Sequence, residues 1–301
     1  MRVVATLSTR TPYHSGLRNT LNTLTSQFDA VYLGLPRVSR KGEEYGSFEH
    51  KGVDVVWLDT DLGPVTKIVA GYLREHDPAT LIVTVDDDYA YSPDLRLTFE
   101  DASAARPDAV LTFSGTVVKY VGGPVKLPWY LAMSGGWHDR PRRLFFDLKS
   151  EHALTTIAGY CGCAYPRAQL GEDLIDFVRA HSSSSKLLMR NDDVVLSAYL
   201  ASRGVLRLCL PPFDAVGETT KPEGSPAIGP SPKQIYDAIH NMKHHFLRDE
   251  PRSLLDGLVL VDFGLFMLAA FVLATCVCVL LSSRTTRFKS RAELSIGGTD
   301  L

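Results

Sequence analysis

The 301-residue sequence predicts an α/β protein with a mostly parallel sheet flanked by helices, followed by a C-terminal transmembrane helix. Two observations carry this prediction. Short apolar runs alternate with segments of helical apolar spacing through the first half of the chain, and one long apolar segment lies near its end. Alternating strands and helices are typical of βαβ units, whose strands are parallel and covered by helices.

Short runs rich in β-branched residues have the length and composition of buried strands. They lie at residues 2–7, 30–35, 53–58, 81–85 and 109–113. Helical spacing of apolar residues separates the first run from the second and the third from the fourth. Later in the chain, the pattern predicts helices at 170–181 and 192–202 and a last strand at 205–210.

Residues 263–281 are all apolar or small, with Thr275 as the only hydroxyl. At about 1.5 Å per residue, such a helix would cross a hydrocarbon core of about 30 Å. We therefore expect one α/β domain at 1–215, a linker and juxtamembrane helix at 216–256, a transmembrane helix at 257–282 and a short basic tail at 283–301. The linker is predicted because residues 217–233 are rich in Pro, Gly, Ser and Thr.

The orientation of this single-pass anchor has two interpretations. Arg284, Arg287, Lys289 and Arg291 follow the apolar segment, which favours a cytosolic tail. The N-terminal apolar stretch, however, is too short for a signal peptide, so translocation of a folded domain is not expected. We expect a tail-anchored protein whose large domain faces the cytosol.

Composition excludes several classes of function. The net charge of −2 shows no basic excess, so nucleic acid is not an expected partner. The five cysteines are too few for a disulfide scaffold and do not have the spacing of a zinc site. We expect reduced thiols.

The most informative motif is a run of three carboxylates, Asp86, Asp87 and Asp88, directly after the strand at 81–85. Adjacent carboxylates repel one another unless cations or hydrogen bonds lie nearby. A divalent metal bound to a diphosphate would supply that positive charge. Asp86 and Asp88 project to the same side of an extended segment, so both can approach one ion. The alternative is an acidic cap on the helix that begins near Pro93.

Two further motifs combine charge with a helix start. Asp192 and Asp193 open the helix at 192–202, either as favourable N-terminal charges or as a carboxylate that serves as a general base. Asp61 precedes a Gly63–Pro64 turn and a helix that carries Lys67 in its first turn. Such a helix start suits a phosphate, although a solvated lysine is the simpler interpretation.

The order of these motifs resembles a small branch of GT-A-fold nucleotide-sugar glycosyltransferases, similar to glycosyltransferase family 2. The resemblance rests on Asp-x-Gly-Pro-x-Thr-Lys at 61–67, Asp-Asp-Asp-x-x-Tyr at 86–91, Gly-x-x-Gly at 159–162 and Asp-Asp-Val at 192–194. Residues 5–10 are similar to the first nucleotide-binding loop of that family, without its usual proline. The resemblance covers about residues 2–212.

The resemblance implies a nucleotide-diphosphate sugar donor, most often a UDP-sugar, bound at the carboxyl edge of the sheet. It implies Mn²⁺ or Mg²⁺ on Asp88, with Asp86 on the metal or the ribose. The implied donor-binding residues are Thr6, Ser8, Arg10, Asp61, Lys67, Asp86, Asp87 and Gly162.

For catalysis, the resemblance implies that Asp193 is the general base of an inverting transfer to a hydroxyl acceptor, with Asp192 as the competing assignment. A retaining enzyme would not need that base. The acceptor would be a glycan, a glycoprotein or a lipid-linked sugar, with Trp129, Tyr130 and Trp137 available for stacking. His240, His244 and His245 are not assigned to the metal.

Two other functions stay open at this point. One is a non-catalytic, tail-anchored adaptor that binds a nucleotide sugar and recruits partners. The other is a nucleotidyltransferase or metal phosphoesterase, which would need ions about 3.5–4 Å apart and several shared carboxylates.

Overall fold

The computed structural model describes residues 1–10, 13–116, 152–211, 213, 215–220 and 232–246. The predicted transmembrane helix, the basic tail and the loop with Trp129, Tyr130 and Trp137 lie outside these residues. Within the described part of the chain, no helix is long and apolar enough to cross a membrane.

The strands of the described residues are numbered in chain order. They are β1 Val3–Ser8, β2 Ala30–Pro36, β3 Val53–Leu58, β4 Leu81–Thr84, β5 Tyr89–Tyr91, β6 Ala109–Thr112, β7 Gly115–Thr116, β8 His152–Ala153, β9 Thr156–Ile157, β10 Cys163–Pro166, β11 Leu206–Cys209 and β12 Val216–Thr219. The helices are α1 Leu17–Thr25, α2 Thr66–Arg74, α3 Leu95–Ala105, α4 Leu174–Ser182, α5 Lys186–Met189, α6 Asp192–Ser202, α7 Pro232–Asn241 and α8 Lys243–Phe246.

The main sheet has the strand order β3-β2-β1-β4-β10-β6-β11-β8. The pairs β3/β2, β2/β1, β1/β4 and β6/β11 are parallel, whereas β10 is antiparallel to both of its neighbours and β8 is antiparallel to β11. The predicted α/β class, with a mostly parallel central sheet flanked by helices, is confirmed.

Both faces of the sheet are buried at its central strands β1, β2, β4 and β6. Alternate residues of β1 point to opposite layers, so that Val4 packs in the cluster that contains Ile68 of α2, and Leu7 packs in the cluster that contains Leu21 of α1 and Phe99 of α3. Burial on both faces explains why the parallel strands are continuous apolar runs rather than alternating ones.

Residues after the last strand of the main sheet differ from the expected linker and juxtamembrane helix. β12 pairs with β5. Ile239 of α7 and Phe246 of α8 pack in one apolar cluster with Val195 and Ala198 of α6. These described parts of 216–246 therefore belong to one compact unit, Met1–Asp249, together with the sheet.

The strand order places a ligand crevice between β1 and β4. From β1 the chain adds β2 and then β3 on one side, whereas β4 lies on the other side of β1. In open α/β sheets, ligands bind outside the carboxyl ends of strands at such a reversal. β10 begins at this same edge, because Cys163 pairs with both Thr84 and Thr112, the last residues of β4 and β6.

The opposite edge of the sheet is held by a buried carboxylate. Glu75 accepts hydrogen bonds from the Tyr32 hydroxyl at 2.6 Å and from Arg2 at 3.0 Å. Its backbone carbonyl accepts a third from Arg167 Nε at 2.7 Å. Burial alone would raise the pKa of Glu75, but the hydrogen bonds from Arg2 and Tyr32 outweigh it and hold the pKa below its usual value.

Glu75→Gln is expected to lower the free energy of unfolding by about 1–3 kcal/mol at pH 7, since a charged acceptor for Arg2 and Tyr32 is lost. A carboxylate whose pKa is lower in the folded than in the unfolded state stabilises the fold at pH values above its unfolded-state pKa. This stabilisation is lost as the pH falls through the folded-state pKa. The difference from wild type should therefore shrink below about pH 4. Urea titrations at several pH values check this, with the exposed Glu43→Gln as control; equal behaviour of the two variants would contradict it.

Candidate active site

Lys67 lies at the centre of the acidic residues at the carboxyl edge of the sheet. Its Nζ is 2.8 Å from an oxygen of Asp86 and 2.8 Å from an oxygen of Asp192. The side chain is buried, with 4% of the residue exposed, so it is not the solvated lysine of the simpler interpretation. Two acidic motifs more than 100 residues apart in sequence therefore meet at one ammonium group.

Lys67 stays protonated in this site. Burial would lower its pKa, but the charges of Asp192, Asp86 and Asp193 outweigh burial and raise the pKa well above its usual value. The ammonium is thus a fixed positive charge rather than a proton donor at neutral pH.

The turn before α2 fixes the position of Lys67. Asp61 accepts a hydrogen bond from the Gly63 N–H at 2.8 Å, and Gly63 has φ of +73°, a conformation that favours glycine. Arg40 Nε donates to the Asp61 carbonyl at 2.8 Å. Asp61, predicted as a donor-binding residue, therefore holds the turn through both its side chain and its backbone.

The end of β1 braces the same turn. Thr6 is fully buried and donates to the Lys67 carbonyl at 2.5 Å, and the Ser8 hydroxyl donates to the Pro64 carbonyl at 3.3 Å. Thr6, predicted to bind the donor, has no exposed surface in this structure and contacts the turn before α2. Arg10 is exposed at the same edge, where it remains available to a ligand.

Asp193 lies across a glycine from Lys67. Both of its carboxylate oxygens are 3.1 Å from the backbone nitrogen of Gly159, which donates to them. Burial and then the charges of Asp192 and Asp86 raise the pKa of Asp193 to about 8, against the opposing effects of Lys67 and the Gly159 N–H. A carboxyl group with such a pKa exchanges protons near neutral pH.

Gly159 keeps the space between these charges open. A Cβ atom at this position would lie 2.9 Å from Asp193 Oδ1 and 3.2 Å from Lys67 Nζ. Gly162, at the other end of the turn, has φ of +92°. The Thr112 hydroxyl lies 3.1 Å from the Gly162 carbonyl and fixes the turn against β6. Both glycines of the predicted Gly-x-x-Gly motif are therefore required by geometry.

Tyr91 supports the backbone of the acidic loop. Its buried hydroxyl accepts a hydrogen bond from the Asp86 N–H at 2.8 Å and lies 3.1 Å from the Tyr160 carbonyl. The Asp86 side chain keeps 35% of its surface exposed while it pairs with Lys67. Asp88 is buried, and its carbonyl accepts a hydrogen bond from the Thr220 N–H at 2.8 Å.

Asp87 contacts a different set of residues from Asp86. It accepts a hydrogen bond from the Thr9 hydroxyl at 2.5 Å and lies 3.3 Å from His14 Nε2. Burial would raise the pKa of Asp87, but the contacts with His14 and Thr9 lower it. The contact with Asp87 in turn raises the pKa of His14. Asp87, predicted to bind the donor, ties the acidic loop to the segment that follows β1.

Three residues of this site were not identified from the sequence: His14, Tyr91 and Thr112. The signal for Tyr91 was present, since it is the tyrosine of the Asp-Asp-Asp-x-x-Tyr motif. No local pattern marks His14 or Thr112, whose partners are distant in sequence. His245 packs against the rings of Phe177 and His181 on the helical layer, and His244 packs against His245, away from this cluster.

The donor types at this edge suit a hard divalent cation. In the described residues, no group of three or more His, Cys, Asp or Glu side chains is placed to hold a metal. Mg²⁺, however, is usually held by one or two carboxylates together with waters and substrate phosphates. Burial raises the pKa of Asp86, and the charges of Asp192 and Asp88 raise it further, while Lys67 opposes them. A site in which carboxylates outnumber the ammonium favours a further cation.

Comparison with known proteins identifies no family for this chain, since no family model and no curated protein matches it. Solved structures that resemble it include two crystal structures of S. aureus TarS 1–349, one of them in complex with UDP. They are 15% and 16% identical to this chain, and both have a TM-score of 0.42. The matches cover 83% of this chain and 67% and 66% of those chains.

What the structure itself defines is an α/β protein with a charged site at the carboxyl edge of its sheet. The cluster unites Lys67, Asp86, Asp192, Asp193 and the Gly159 backbone. At such low identity and TM-score, the likeness to TarS adds nothing about substrate or reaction.

Lys67→Met is expected to destabilise the fold by about 3–5 kcal/mol at pH 7, since Asp86 and Asp192 would lose the charge that compensates them. Adding Asp192→Asn should recover part of that loss. Urea denaturation of the single and double variants measures both effects, with the exposed Lys51→Met as control. If the changes in unfolding free energy from Lys67→Met and Asp192→Asn simply add in the double variant, the two side chains are not energetically coupled.

The raised pKa of Asp193 predicts a second pH effect. Between about pH 4 and pH 8 the folded chain holds a proton that the unfolded chain has released, so wild-type stability falls as pH rises across this window. Asp193→Asn cannot ionise and should gain stability relative to wild type between pH 5 and pH 8. Denaturation in the presence of a chelator measures this, with the exposed Asp101→Asn as control. A constant difference across the window would refute it.

Proposed function

We propose that this protein is a membrane-anchored glycosyltransferase that moves a sugar from a nucleotide-diphosphate donor to a hydroxyl acceptor. The observation that carries the proposal is the joining of two acidic motifs by buried Lys67, at the edge where the strand order reverses. This arrangement supports the proposal because it brings the acidic loop, which would hold a cation, and the Asp193 carboxyl group, whose pKa is raised, close to one ammonium group.

The donor diphosphate would occupy the crevice outside the carboxyl ends of β1 and β4. Exposed Arg10 supplies a positive charge for an anion at the end of β1. A UDP-sugar is the donor that the motif resemblance implies. Thr6, Ser8 and Asp61 contribute by holding the turn before α2 in place.

Asp86 and Asp88 would hold Mn²⁺ or Mg²⁺. When bound, such an ion supplies Lewis-acid stabilisation of charge on the departing nucleotide diphosphate. The chain's own contribution is to keep the two carboxylates in place: Tyr91 fixes the Asp86 backbone, and the contact between Asp87 and His14 fixes the loop from its other side.

Asp193 would serve as the general base. The acceptor oxygen attacks the anomeric carbon, the bond from that carbon to the diphosphate oxygen breaks, and the acceptor proton passes to the Asp193 carboxylate, with inversion of configuration. A pKa near the operating pH is what efficient base catalysis requires. The pairing of Asp192 with Lys67 supports Asp193 rather than Asp192 in this role.

The apolar segment at 257–282 would anchor the enzyme as a single-pass protein, with the catalytic domain facing the cytosol. A membrane-bound enzyme suits a lipid-linked or membrane-glycoprotein acceptor, as well as a glycan presented near the bilayer.

Asp193→Asn is expected to reduce sugar transfer by at least about 100-fold, as loss of a general base does, while donor affinity stays near the wild-type value. Asp88→Asn should instead abolish the metal-dependent part of donor binding. Calorimetry with UDP-sugars, with and without Mn²⁺, and release of UDP measure the two effects, with Asp101→Asn as control.

The outcomes separate the candidate functions. If the protein binds the donor but transfers no sugar to any acceptor tested, the non-catalytic adaptor is favoured. Metal-dependent cleavage of a phosphodiester in place of sugar transfer would favour a nucleotidyltransferase or metal phosphoesterase. Full transfer activity in Asp193→Asn would exclude Asp193 as the general base and leave either Asp192 in that role or a retaining mechanism.

A further inference from the structure

Tyr160 lies between the two halves of the proposed active site. Its neighbour Gly159 donates its N–H to Asp193, and its own carbonyl is 3.1 Å from the Tyr91 hydroxyl. That same hydroxyl accepts the N–H of Asp86. The Tyr160 backbone is therefore tied on one side to the carboxyl group of raised pKa and on the other to the acidic loop.

The Tyr160 residue is partly open to solvent at this position. The residue is 43% exposed, and Trp57, at 36%, is the other strongly exposed aromatic residue among those described. Trp57 lies on β3, where Arg37 lies 6.0 Å from its ring centroid. Trp57 belongs to an outer strand, whereas the backbone of Tyr160 belongs to the turn beside the proposed site.

A second aromatic ring lies beside Tyr160. The ring centroids of Tyr160 and Tyr89 are 6.4 Å apart, with planes tilted by 48°. Tyr89 is the first residue of β5 and follows Asp88 directly, so its ring comes from the acidic loop itself. The two rings belong to the acidic loop and to the Gly-x-x-Gly turn, which the Tyr91 hydroxyl holds together.

The turn that carries Tyr160 is rigid. Its glycine at 162 adopts a positive φ and is held by the Thr112 hydroxyl, and the Gly162 N–H donates to the Gly159 carbonyl at 2.9 Å. A ring on such a turn is preorganised, so a ligand that stacks on it does not first have to order the segment.

We propose that Tyr160, flanked by Tyr89, forms a stacking platform for a pyranose ring; this inference rests on the proposed glycosyl transfer. The apolar C–H face of a sugar packs on an aromatic face, while its hydroxyl groups remain free to meet polar side chains. Binding sites for small molecules combine such aromatic surfaces with a few fixed polar groups. The sugar is that of the donor or that of the acceptor.

The test compares the full chain with Tyr160→Ala, Tyr160→Phe and the control Trp57→Ala. Calorimetry in Mn²⁺ gives the affinity for UDP and for UDP-glucose, UDP-galactose and UDP-N-acetylglucosamine. Transfer assays with the donor that binds give the KM for the acceptor.

If the platform holds the donor sugar, Tyr160→Ala should weaken binding of the UDP-sugar about tenfold and leave binding of UDP unchanged. If it holds the acceptor, the acceptor KM should rise about tenfold, with donor affinity and kcat nearly constant. Tyr160→Phe keeps the ring and should resemble wild type in both cases, as should Trp57→Ala. If Tyr160→Ala has both the wild-type affinity for the UDP-sugar and the wild-type KM for the acceptor, the proposed platform is refuted.

Failure of the proposed function gives a different result. If wild type binds neither UDP nor any UDP-sugar, glycosyl transfer from these donors is refuted, and saturation-transfer NMR with methyl glucoside, methyl galactoside and methyl N-acetylglucosaminide then tests the platform alone. Saturation of the pyranose protons that disappears in Tyr160→Ala supports it. No saturation in wild type, or equal saturation in both proteins, overturns it.

Discussion

The ammonium group of Lys67 is the interaction on which the rest of the site depends. Two buried or partly buried carboxylates, from the loop after β4 and from the start of α6, pair with it. Without that charge, neither acidic motif could approach the other at the edge of an apolar sheet, because uncompensated buried charge is costly. The turn before α2, the end of β1 and the glycine at 159 all serve to place the ammonium and leave space beside it.

The sequence predicted most of the sheet because parallel strands buried on both faces are continuous apolar runs. β1, β2, β4 and β6 lie where these runs occur, and β3 and β11, each with a charged residue, also lie at predicted positions. It missed β10, Cys163–Pro166, which is four residues long, ends in proline and follows a glycine turn. Its antiparallel pairing with β4 and β6 is a tertiary property that no local period shows. The Pro- and Gly-rich composition after residue 216 likewise predicted a linker where the structure has β12, a strand that pairs with β5.

Among the site residues, charge patterns predicted which acidic motifs matter but not what each side chain contacts. Asp86, Asp192 and Asp193 come together as the motif order implied. Thr6 and Asp87 contact residues that are more than 60 positions away, whereas Asp61 contacts both nearby Gly63 and more distant Arg40. Because contacts with distant residues leave no local pattern, neither composition nor spacing distinguishes a residue that holds the backbone from one that binds a ligand. His14 is found only from its proximity to Asp87.

The most direct test of the account is a crystal structure of the full chain with UDP and Mn²⁺, in which anomalous scattering locates the metal. The account predicts a manganese peak at Asp86 and Asp88, with the diphosphate outside the carboxyl ends of β1 and β4 and Lys67 still between Asp86 and Asp192. Nucleotide bound away from this edge, or a metal peak that avoids both carboxylates while UDP is present, would contradict it.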